Sequence, residues 1–210
     1  TKRTQMLAMI SHDLKTPLTR MKLQVELMDD SEEKEELQYD IESMQHMMLS
    51  YLDFARGEGG EDFQTLDLNN WLNNYITSKW QGQNIQIHTD KKPIFIQIKL
   101  HSFERAIANL ISNALKYSTK VVISVYSEKS NAFITVEDNG SGIKPQDRKL
   151  VFKPFYRADK SRSLDHFASV GLGLAITKEI INGHYGTISL DDSKNLNGLL
   201  VKIQLPIINK

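Results

Sequence analysis

The sequence contains no cysteine and carries no net charge, because 26 Lys and Arg residues balance 26 Asp and Glu residues. The absence of cysteine excludes disulfide bonds and thiolate metal sites, and it is consistent with a reducing compartment. Without a basic excess, nothing indicates nucleic-acid binding or attraction to an anionic membrane surface. We therefore expect neither nucleic acid nor direct membrane contact for this fragment.

Long apolar runs are also missing. No stretch of about 18 apolar residues occurs, so the sequence predicts no membrane-spanning helix. No charged-then-apolar signal segment opens the chain, and its first residue is Thr1 rather than methionine, so we expect a fragment or a processed product. Hydrophobic residues make up 40% and charged residues 25% of the 210 residues, which is typical of one large or two smaller folded domains.

The first part of the chain has the spacing of helices. All seven methionines lie between Met6 and Met48, and apolar residues recur there at steps of three and four. A polar break, Asp29–Glu36, interrupts this pattern, which predicts two amphipathic helices joined by a short acidic turn. Two such helices bury too little surface alone, so we expect a homodimer in which the two hairpins form a four-helix bundle.

A glycine-rich and acidic stretch follows the predicted end of the second helix near Arg56. Such a stretch has no side chains suited to a core and is typical of a linker. The sequence therefore predicts three parts, namely a helical dimerisation domain over residues 1–56, a linker over 57–65 and a second domain over 66–210.

The third part mixes the two kinds of periodicity. Helical spacing covers residues 69–80, 103–117 and 172–182, and strand-like alternation covers residues 85–87, 94–98, 121–126, 132–136, 186–190 and 199–205. Because these elements do not alternate strictly, we predict the α+β class, with an α/β sandwich rather than a doubly wound parallel sheet.

A histidine in the first predicted helix is a candidate phosphoryl acceptor. Within residues 11–20, His12 falls off the apolar seam and is followed by Asp13, which can hold the imidazole tautomer or accept its proton. Thr16 lies one turn further on the same face, and Pro17 is expected to bend the helix. A neutral imidazole beside a carboxylate is a competent nucleophile near neutral pH, although a lone exposed histidine is more often only a solvated one.

The predicted helix over residues 103–117 carries polar residues on one face. Arg105, Asn109, Asn113, Lys116 and Tyr117 lie on it. The last four are spaced so that they share a face. Amide oxygens suit Mg²⁺, which prefers hard oxygen ligands, and Lys116 can meet phosphate charge. Two asparagines on a helix are by themselves a weak signal.

Two glycine-containing turns complete the pattern. Asp138 ends a strand before Gly140 and Gly142, where a buried carboxylate can accept a hydrogen bond from an adenine amino group and glycine allows close backbone approach. A second turn opens a helix whose N–H groups can hold phosphate. Its residues are Gly171, Leu172, Gly173 and Leu174.

Roughly 28 residues separate these two turns and have little apolar periodicity, so we interpret them as a lid. Aromatic anchors and phosphate-facing cations are expected among Phe152, Phe155, Arg157, Lys160 and Arg162.

Together, the motifs resemble those of the sensor histidine kinases over nearly the whole chain. The segment 12–20 is similar to the family's H-box, 105–117 to its N-box, and 138–142 to its first glycine box. The segment 152–157 is similar to the F-box and 171–174 to the second glycine box. The amino-acid sequence of the H-box is similar to that of the osmosensor EnvZ subgroup.

The resemblance implies a dimeric helical domain followed by an ATP-binding sandwich of the Bergerat type. It implies Asn113 as the principal Mg²⁺ ligand with Asn109 in support, and Asp138 on the adenine of ATP. We expect the remaining ATP-binding residues to be Lys116, Tyr117, Gly140, Gly142, Phe155, Arg157, Gly171, Leu172, Gly173 and Leu174.

The resemblance also implies how phosphate moves. ATP would phosphorylate His12 with help from Asp13, and the phosphoryl group would pass to an aspartate of an OmpR-type response regulator. Thr16 would position water when the same domain dephosphorylates that regulator. The fragment would be cytoplasmic, and its parent protein would be anchored in the inner membrane. The linker would let the ATP-binding domain reach His12 of its own or the neighbouring subunit, a choice that the sequence leaves open.

One departure and two alternatives accompany this reading. Many relatives have a glycine just before the second glycine box, where this chain has Ser169 and Val170, so the lid is expected to be stiffer. An ATPase of the gyrase, heat-shock chaperone and mismatch-repair group shares the nucleotide motifs but has no need of His12. A non-catalytic dimeric scaffold would have lost His12, Asn113 or Asp138, and all three are present.

Overall fold

The computed structural model describes residues 15–56, 61–156, 158 and 171–208. The chain divides into two compact units, one of residues 1–59 and 159–172 and the other of residues 60–158 and 173–210. We call them the helical unit and the sandwich unit and describe each by itself. Among the described residues, no helix combines the length and apolarity needed to cross a bilayer.

Two helices make up the described part of the helical unit. Residues 15–26 are helical (α1), and α2 spans Glu32–Arg56. Their apolar seam buries Leu18, Val25 and Ile41, each 5–6% exposed, because these side chains recur at helical spacing and face the neighbouring helix. The predicted helical hairpin is therefore confirmed over these residues.

The turn between these helices is shorter than predicted. The expected break, Asp29–Glu36, was wrong at its second end, because only residues 27–31 are non-helical and α2 already begins at Glu32. The Ser31 hydroxyl accepts a hydrogen bond from the Lys34 N–H (3.2 Å), and acidic residues fill the first helical turn. Carboxylates are favourable at the positive end of a helix dipole, so these residues start a helix and do not interrupt one.

The described part of the sandwich unit contains seven strands in two sheets and three helices. Its strands are β1 (Gln64–Asp67), β2 (Ile85–Thr89), β3 (Phe95–Ile98), β4 (Val121–Glu128), β5 (Asn131–Asp138), β6 (Thr187–Asp192) and β7 (Leu199–Pro206). Its helices are α3 (Leu68–Lys79), α4 (Leu100–Tyr117) and α5 (Gly173–Gly183). The larger sheet has the order β2-β4-β5-β7-β6, in which only β2 and β4 pair in parallel. This confirms an α+β sandwich over a doubly wound sheet.

Alternating side chains determine which face of the large sheet is covered. Along β4, Val121, Ile123 and Val125 are buried while the residues between them are not, as expected when one face packs against helices. Helix α4 buries Phe103 and Ile107 on that side and leaves its polar residues on the other. The polar face of α4 therefore lies outside this core and can contribute to a site.

The small sheet was not predicted. Gln64–Asp67 forms β1, which pairs antiparallel with β3, so Gln64 and Thr65 belong to a strand although they lie inside the predicted linker 57–65. The segment carries a single apolar residue, Leu66, and so gives almost no periodic signal. Strand β3 also accepts a hydrogen bond from the Ile208 N–H at the Phe95 carbonyl (2.9 Å). It thus joins the first strand of the unit to its last described residues.

Candidate functional site

Helix α4 places its two asparagines against the start of α5. Both side chains are half-buried, and the Asn109 Nδ2 atom donates to the Gly173 carbonyl (3.4 Å). A Cβ atom added to Gly173 would lie 3.7 Å from Asn113 Nδ2 and 3.9 Å from Asn109 Cγ. The structure thus brings the predicted amide pair to the first residue of a helix whose N-terminal N–H groups can hold an anion.

The two asparagines differ in their hydrogen bonds. Whereas Asn109 is bonded to Gly173, the side-chain amide of Asn113 has no hydrogen-bond partner among the described residues. A half-buried amide oxygen without a partner can serve as a ligand for a hard cation. No group of three His, Cys, Asp or Glu side chains suited to a metal occurs in the described part of the chain. The donor set therefore fits Mg²⁺ held mainly by phosphate and water, with Asn113 as a protein ligand.

Asp138 lies at the end of β5 and is 5% exposed. Its Oδ1 atom accepts hydrogen bonds from the Gly140 N–H (2.8 Å) and the Leu199 N–H (3.2 Å). In the described residues, its Oδ2 atom accepts none. The carboxylate is thus fixed in place by one oxygen and keeps the other as an acceptor, which is what recognition of an amino group requires.

The first glycine turn is packed tightly against the end of α4. A Cβ atom at Gly140 would lie 2.5 Å from the Tyr117 carbonyl oxygen, a separation that real side chains essentially never show. Gly142 adopts a positive φ of 68°, which favours glycine. Since Tyr117 lies one turn beyond Asn113, the amide pair and Asp138 belong to one continuous piece of structure.

Two residues that the sequence analysis missed hold this turn. The Asn139 Oδ1 atom accepts from the N–H groups of Thr119 and Lys120 (3.0 Å each), and its Nδ2 atom donates to the Thr119 hydroxyl (3.0 Å). Gly198 approaches Asp138 so closely that a Cβ atom there would lie 2.2 Å from the Asp138 carbonyl oxygen and 2.6 Å from Oδ1. The Asp-Asn-Gly triplet could have indicated the first, but Gly198 lies too far along the sequence to be linked with Asp138.

Arg148 holds the chain that follows the first glycine turn. It donates to the Ile143 carbonyl (3.1 Å), to Asp191 (3.0 Å) and to Asp192. The hydrogen bond with Asp192, together with the charges of both aspartates, raises the pKa of Arg148 despite an opposing effect of burial. Local sequence patterns could not indicate the ion pairs of Arg148, because its two aspartate partners lie more than 40 residues away.

Residues 152–156 of the F-box lie within the predicted lid and are described by the structure. Phe155 has a positive φ of 64° and is 58% exposed, while the Phe152 ring lies 5.1 Å from the Lys178 ammonium on α5. The Tyr156 hydroxyl donates to Asp147 (2.7 Å), and this hydrogen bond raises the pKa of Tyr156. An exposed aromatic ring in a left-handed conformation is unusual, and such residues concentrate at functional sites.

The remaining predicted residues fall into two groups. Lys116 and Tyr117 are exposed at the end of α4, with the Lys116 ammonium 5.6 Å from the Tyr117 ring centroid. Gly171 has a positive φ of 74°, Leu172 is 2% exposed, and Leu174 lies in the first turn of α5. Thr16 is exposed on α1. The second group lies outside the described residues and consists of His12, Asp13, Arg157, Lys160, Arg162, Ser169 and Val170.

Comparison with protein families gives two matches. Residues 98–209 match the family described as Histidine kinase-, DNA gyrase B-, and HSP90-like ATPase. Residues 2–60 match the His Kinase A (phospho-acceptor) domain. The first match covers the α4 and Asp138 geometry described above, and the second covers His12.

Individual proteins are similar over most or all of the chain. Sensor histidine kinase CpxA of Escherichia coli (strain K12) is 31% identical over 222 residues, which cover 100% of this chain and 48% of that protein. The histidine kinase domain of the E. coli osmosensor EnvZ superposes with a TM-score of 0.56 at 32% identity, over 72% of this chain and 94% of that domain. Full-length ShkA in complex with AMPPNP superposes with a TM-score of 0.73 over 98% of this chain and 46% of ShkA, at 19% identity, a likeness of fold alone. The chain spans about half the length of the curated relatives it matches.

Proposed function

This chain belongs to the sensor histidine kinases, and we propose from that premise that it transfers the γ-phosphoryl group of ATP to its own His12. The main support is the set of contacts among α4, α5 and the first glycine turn. Asn109 and Asn113 meet Gly173 there, and one turn later the Tyr117 carbonyl meets Gly140 beside Asp138. This geometry offers a cation ligand, a helix N-terminus and a fixed carboxylate along one continuous surface.

Each part of that surface matches one part of Mg·ATP. Asp138, whose Oδ2 atom accepts no hydrogen bond from the described residues, would accept one from the adenine amino group. The start of α5 would hold phosphate through its N–H groups, and Asn113 would bind Mg²⁺. When bound, Mg²⁺ neutralises phosphate charge. Lys116 and Arg157 are the cations that we expect to act with it, and Phe155 and Gly171 would border the lid.

The transfer itself requires mainly positioning and charge neutralisation. The bond between the γ-phosphorus and the oxygen that bridges it to the β-phosphate breaks, and ADP leaves with that oxygen. A bond forms between phosphorus and an imidazole nitrogen of His12, and the ring gives up its N–H proton to Asp13, which acts as base. The products are ADP, phosphohistidine and one proton, so charge and atoms balance.

Onward transfer would deliver the phosphoryl group to an aspartate of an OmpR-type response regulator. Phosphohistidine is a phosphoramidate of high group-transfer potential, which makes this step feasible. Thr16, exposed on α1, would position the water that hydrolyses the regulator's aspartyl phosphate. We further propose that the fragment acts on the cytoplasmic side of an inner-membrane-anchored parent.

Homodimerisation is supported by apolar side chains that the helical hairpin leaves exposed. Leu27 is 88% exposed, Leu23 62% and Met44 49%. Apolar exposure of this extent on one small hairpin is typical of an interaction surface. Pairing of two hairpins would cover these side chains in a four-helix bundle, as predicted from the sequence.

Phosphate labelling tests the proposed reaction directly. The chain would be incubated with Mg·ATP labelled on the γ-phosphate and compared with His12→Gln. We expect an acid-labile, base-stable label that is absent from the variant. A label that persists in His12→Gln would refute the assigned acceptor, and a chain that binds ATP without any labelling would support the scaffold alternative instead.

The Mg²⁺ assignment is tested with a matched pair of asparagine variants. Asn113→Ala removes the α4 amide that has no hydrogen-bond partner in the described part of the chain, and we expect its labelling to fall at least about a hundredfold, as is typical when a charge-stabilising group is lost. Asn73→Ala makes the same change at an exposed position of α3 and should label like the wild type. Equal labelling of both variants would contradict the assignment of Asn113.

A further inference from the structure

The turn between β6 and β7, residues 193–198, is closed around one buried serine, and we call it the Ser193 turn. Ser193 is 2% exposed. Its N–H group donates to the Gly198 carbonyl (2.8 Å), and its own carbonyl accepts from the Asn197 N–H (2.9 Å). Its hydroxyl oxygen accepts from the Leu196 N–H (3.0 Å). Ser193 therefore holds the two ends of the turn together, and the position of Gly198 depends on it.

Glu137 attaches the Ser193 turn to β5. The Ser193 hydroxyl donates to the Glu137 Oε2 atom (2.6 Å), and the Asn195 Nδ2 atom donates to the same oxygen (3.2 Å). Hydrogen bonds to an ionised carboxylate are shorter and stronger than those between neutral groups. Because successive side chains of a strand point to opposite faces, Glu137 points away from the face that carries Asp138. Glu137 therefore holds the turn without contributing to the proposed nucleotide surface.

The far end of the Ser193 turn packs against Asp138. A Cβ atom at Gly198 would lie 2.2 Å from the Asp138 carbonyl oxygen, so the two backbones are in close contact. The next residue, Leu199, donates its N–H to the Asp138 Oδ1 atom (3.2 Å). A Cβ atom at Gly142 would lie 3.7 Å from the Gly198 carbonyl oxygen. The turn thus borders both the Asp138 carboxylate and the first glycine turn.

The two hydrogen bonds to the Asp138 Oδ1 atom come from different segments. The Gly140 N–H (2.8 Å) belongs to the turn that Asp138 itself begins, whereas the Leu199 N–H directly follows the Ser193 turn. A carboxylate held by one donor can pivot about that bond, and a second donor from another segment fixes its orientation. If the Ser193 turn opened, Leu199 would shift and Asp138 would keep only its local donor. The direction in which Oδ2 points would then no longer be fixed.

We propose that Ser193 and Glu137 are positioning residues for adenine recognition, which act through the Ser193 turn on the carboxylate of Asp138. This inference rests on the proposed function, in which the Asp138 Oδ2 atom accepts a hydrogen bond from the adenine amino group. It assigns neither Ser193 nor Glu137 a contact with ATP. Loss of either residue should therefore weaken the preference for a base that carries this amino group.

The test compares two nucleotides on the whole chain. Purine riboside triphosphate differs from ATP only in lacking the 6-amino group, so the ratio of the two dissociation constants reports the hydrogen bond to that group. Both constants are measured by competition with a fluorescent ATP analogue. We expect the wild type to prefer ATP at least about tenfold, the range of a hydrogen bond to a charged group. Ser193→Ala and Glu137→Ala should each lower this preference at least about threefold.

Kinetics give a second readout of the same variants. Because the adenine contact is the same in the ground state and in the transition state, its weakening should raise KM for ATP in the labelling assay by at least about threefold. The kcat of labelling should stay within about twofold of wild type. A fall in kcat at unchanged KM would overturn a role in adenine recognition.

Three control variants separate positioning from mere stability. Glu137→Gln keeps an oxygen that can accept from the Ser193 hydroxyl, and it should retain the wild-type preference within about twofold. Ser189→Ala makes the serine substitution at an exposed position of β6 and should change nothing. Tyr126→Ala removes a stacked aromatic pair with Phe133, whose ring centroid is 5.2 Å away. It should lower thermal stability and leave the preference for ATP unchanged.

A double-mutant cycle tests whether Ser193 acts through Asp138. Asp138→Ala removes the acceptor and should bind both nucleotides about equally. Adding Ser193→Ala to that variant should then leave the ratio unchanged, because nothing remains for the turn to position. A further change in the ratio would overturn the proposed route through Asp138.

The outcomes are distinguishable from those of the proposed function. A wild type that labels at His12 and prefers ATP, with the same preference in Ser193→Ala and Glu137→Ala, would overturn the positioning role alone. An equal loss of preference in Tyr126→Ala would overturn it as well. Amide hydrogen exchange at Leu199 tests the connection without nucleotide, and unchanged protection in Glu137→Ala would refute it, whether or not Ser193→Ala folds. A wild type without any preference for ATP would overturn the adenine assignment of Asp138 and the positioning role with it.

Discussion

Gly198→Ala tests the geometry around Asp138 from a residue outside all five recognised motifs. The added Cβ atom would lie 2.2 Å from the Asp138 carbonyl oxygen, 2.6 Å from its Oδ1 atom and 2.6 Å from the Gly140 nitrogen. Backbone atoms cannot move aside at low cost, so the end of β5 and the start of β7 must separate. The Asp138 Oδ1 atom then loses its bonds to the N–H groups of Gly140 and Leu199.

The size of the effect follows from those two bonds. Hydrogen bonds to a charged group contribute about 1.5–3 kcal/mol each, so losing both lowers the free energy of unfolding by about 3 kcal/mol or more. For a unit of this size, that corresponds to a fall in Tm of about 6–12 °C. A carboxylate displaced from its position also weakens adenine recognition, and we expect the dissociation constant of a fluorescent ATP analogue to rise at least about tenfold.

Thermal unfolding followed by circular dichroism and titration with the analogue measure the two effects. Gly82→Ala is the control, because Gly82 has a positive φ of 83° but nothing lies within 4 Å of an added Cβ atom. That variant should cost about 1 kcal/mol through backbone strain and leave nucleotide affinity unchanged. If Gly198→Ala behaved like Gly82→Ala in both assays, the assigned role of Asp138 and its supporting glycine would be refuted.

Three further predictions concern single contacts. Asn139→Ala removes the hydrogen bonds to residues 119–120, and we expect the free energy of unfolding measured in urea to fall by about 2 kcal/mol. An unchanged free energy of unfolding would contradict the role of Asn139 in holding the turn. Burial raises the pKa of the Glu61 carboxyl, but the hydrogen bonds from His101 and Ser102 together lower it by more, so the pKa lies below its usual value. The contribution of Glu61 to folding stability is therefore complete above about pH 4.3 and is lost as the pH falls through the folded-state pKa. The Tm difference between wild type and Glu61→Gln should therefore shrink between about pH 5 and pH 3, and a constant difference would contradict the contact. The hydrogen bond to Asp147 raises the pKa of Tyr156, so the contribution of this bond to folding stability is present below about pH 10 and is lost as the pH rises further. Tyr156→Phe lacks the hydroxyl, and its Tm should therefore decrease less than that of the wild type between neutral and alkaline pH.

Local patterns predicted most of the fold. Helix α4 was found because its apolar residues recur at helical spacing, and the same spacing placed Asn109 and Asn113 on one face. Strands β4 and β5 were found because alternation is strong along both. The prediction of the turn before α2 was wrong, because a run of acidic residues resembles a polar break although the helix dipole makes such residues favourable in a first turn.

What could not be predicted depends on contacts between distant residues. The Glu61 carboxylate caps α4 across 40 residues, and Asp138 receives the Leu199 N–H across 61 residues. Neither contact leaves a trace in local composition, because a surface glutamate and a turn glycine occur in any loop. Strand β1 was missed for the same reason, since its pairing with β3 depends on the partner strand and hardly on its own side chains.

Strand β3 is the point at which mechanical load would enter the sandwich unit. Tension applied to β1 would pass through the β1–β3 ladder to a strand that continues into α4 after Lys99 alone. The hydrogen bond from Ile208 to Phe95 ties the same strand to the residues that follow β7. Tension on β1 would thus be borne by backbone hydrogen bonds near the start of α4, well before Asn113 along that helix.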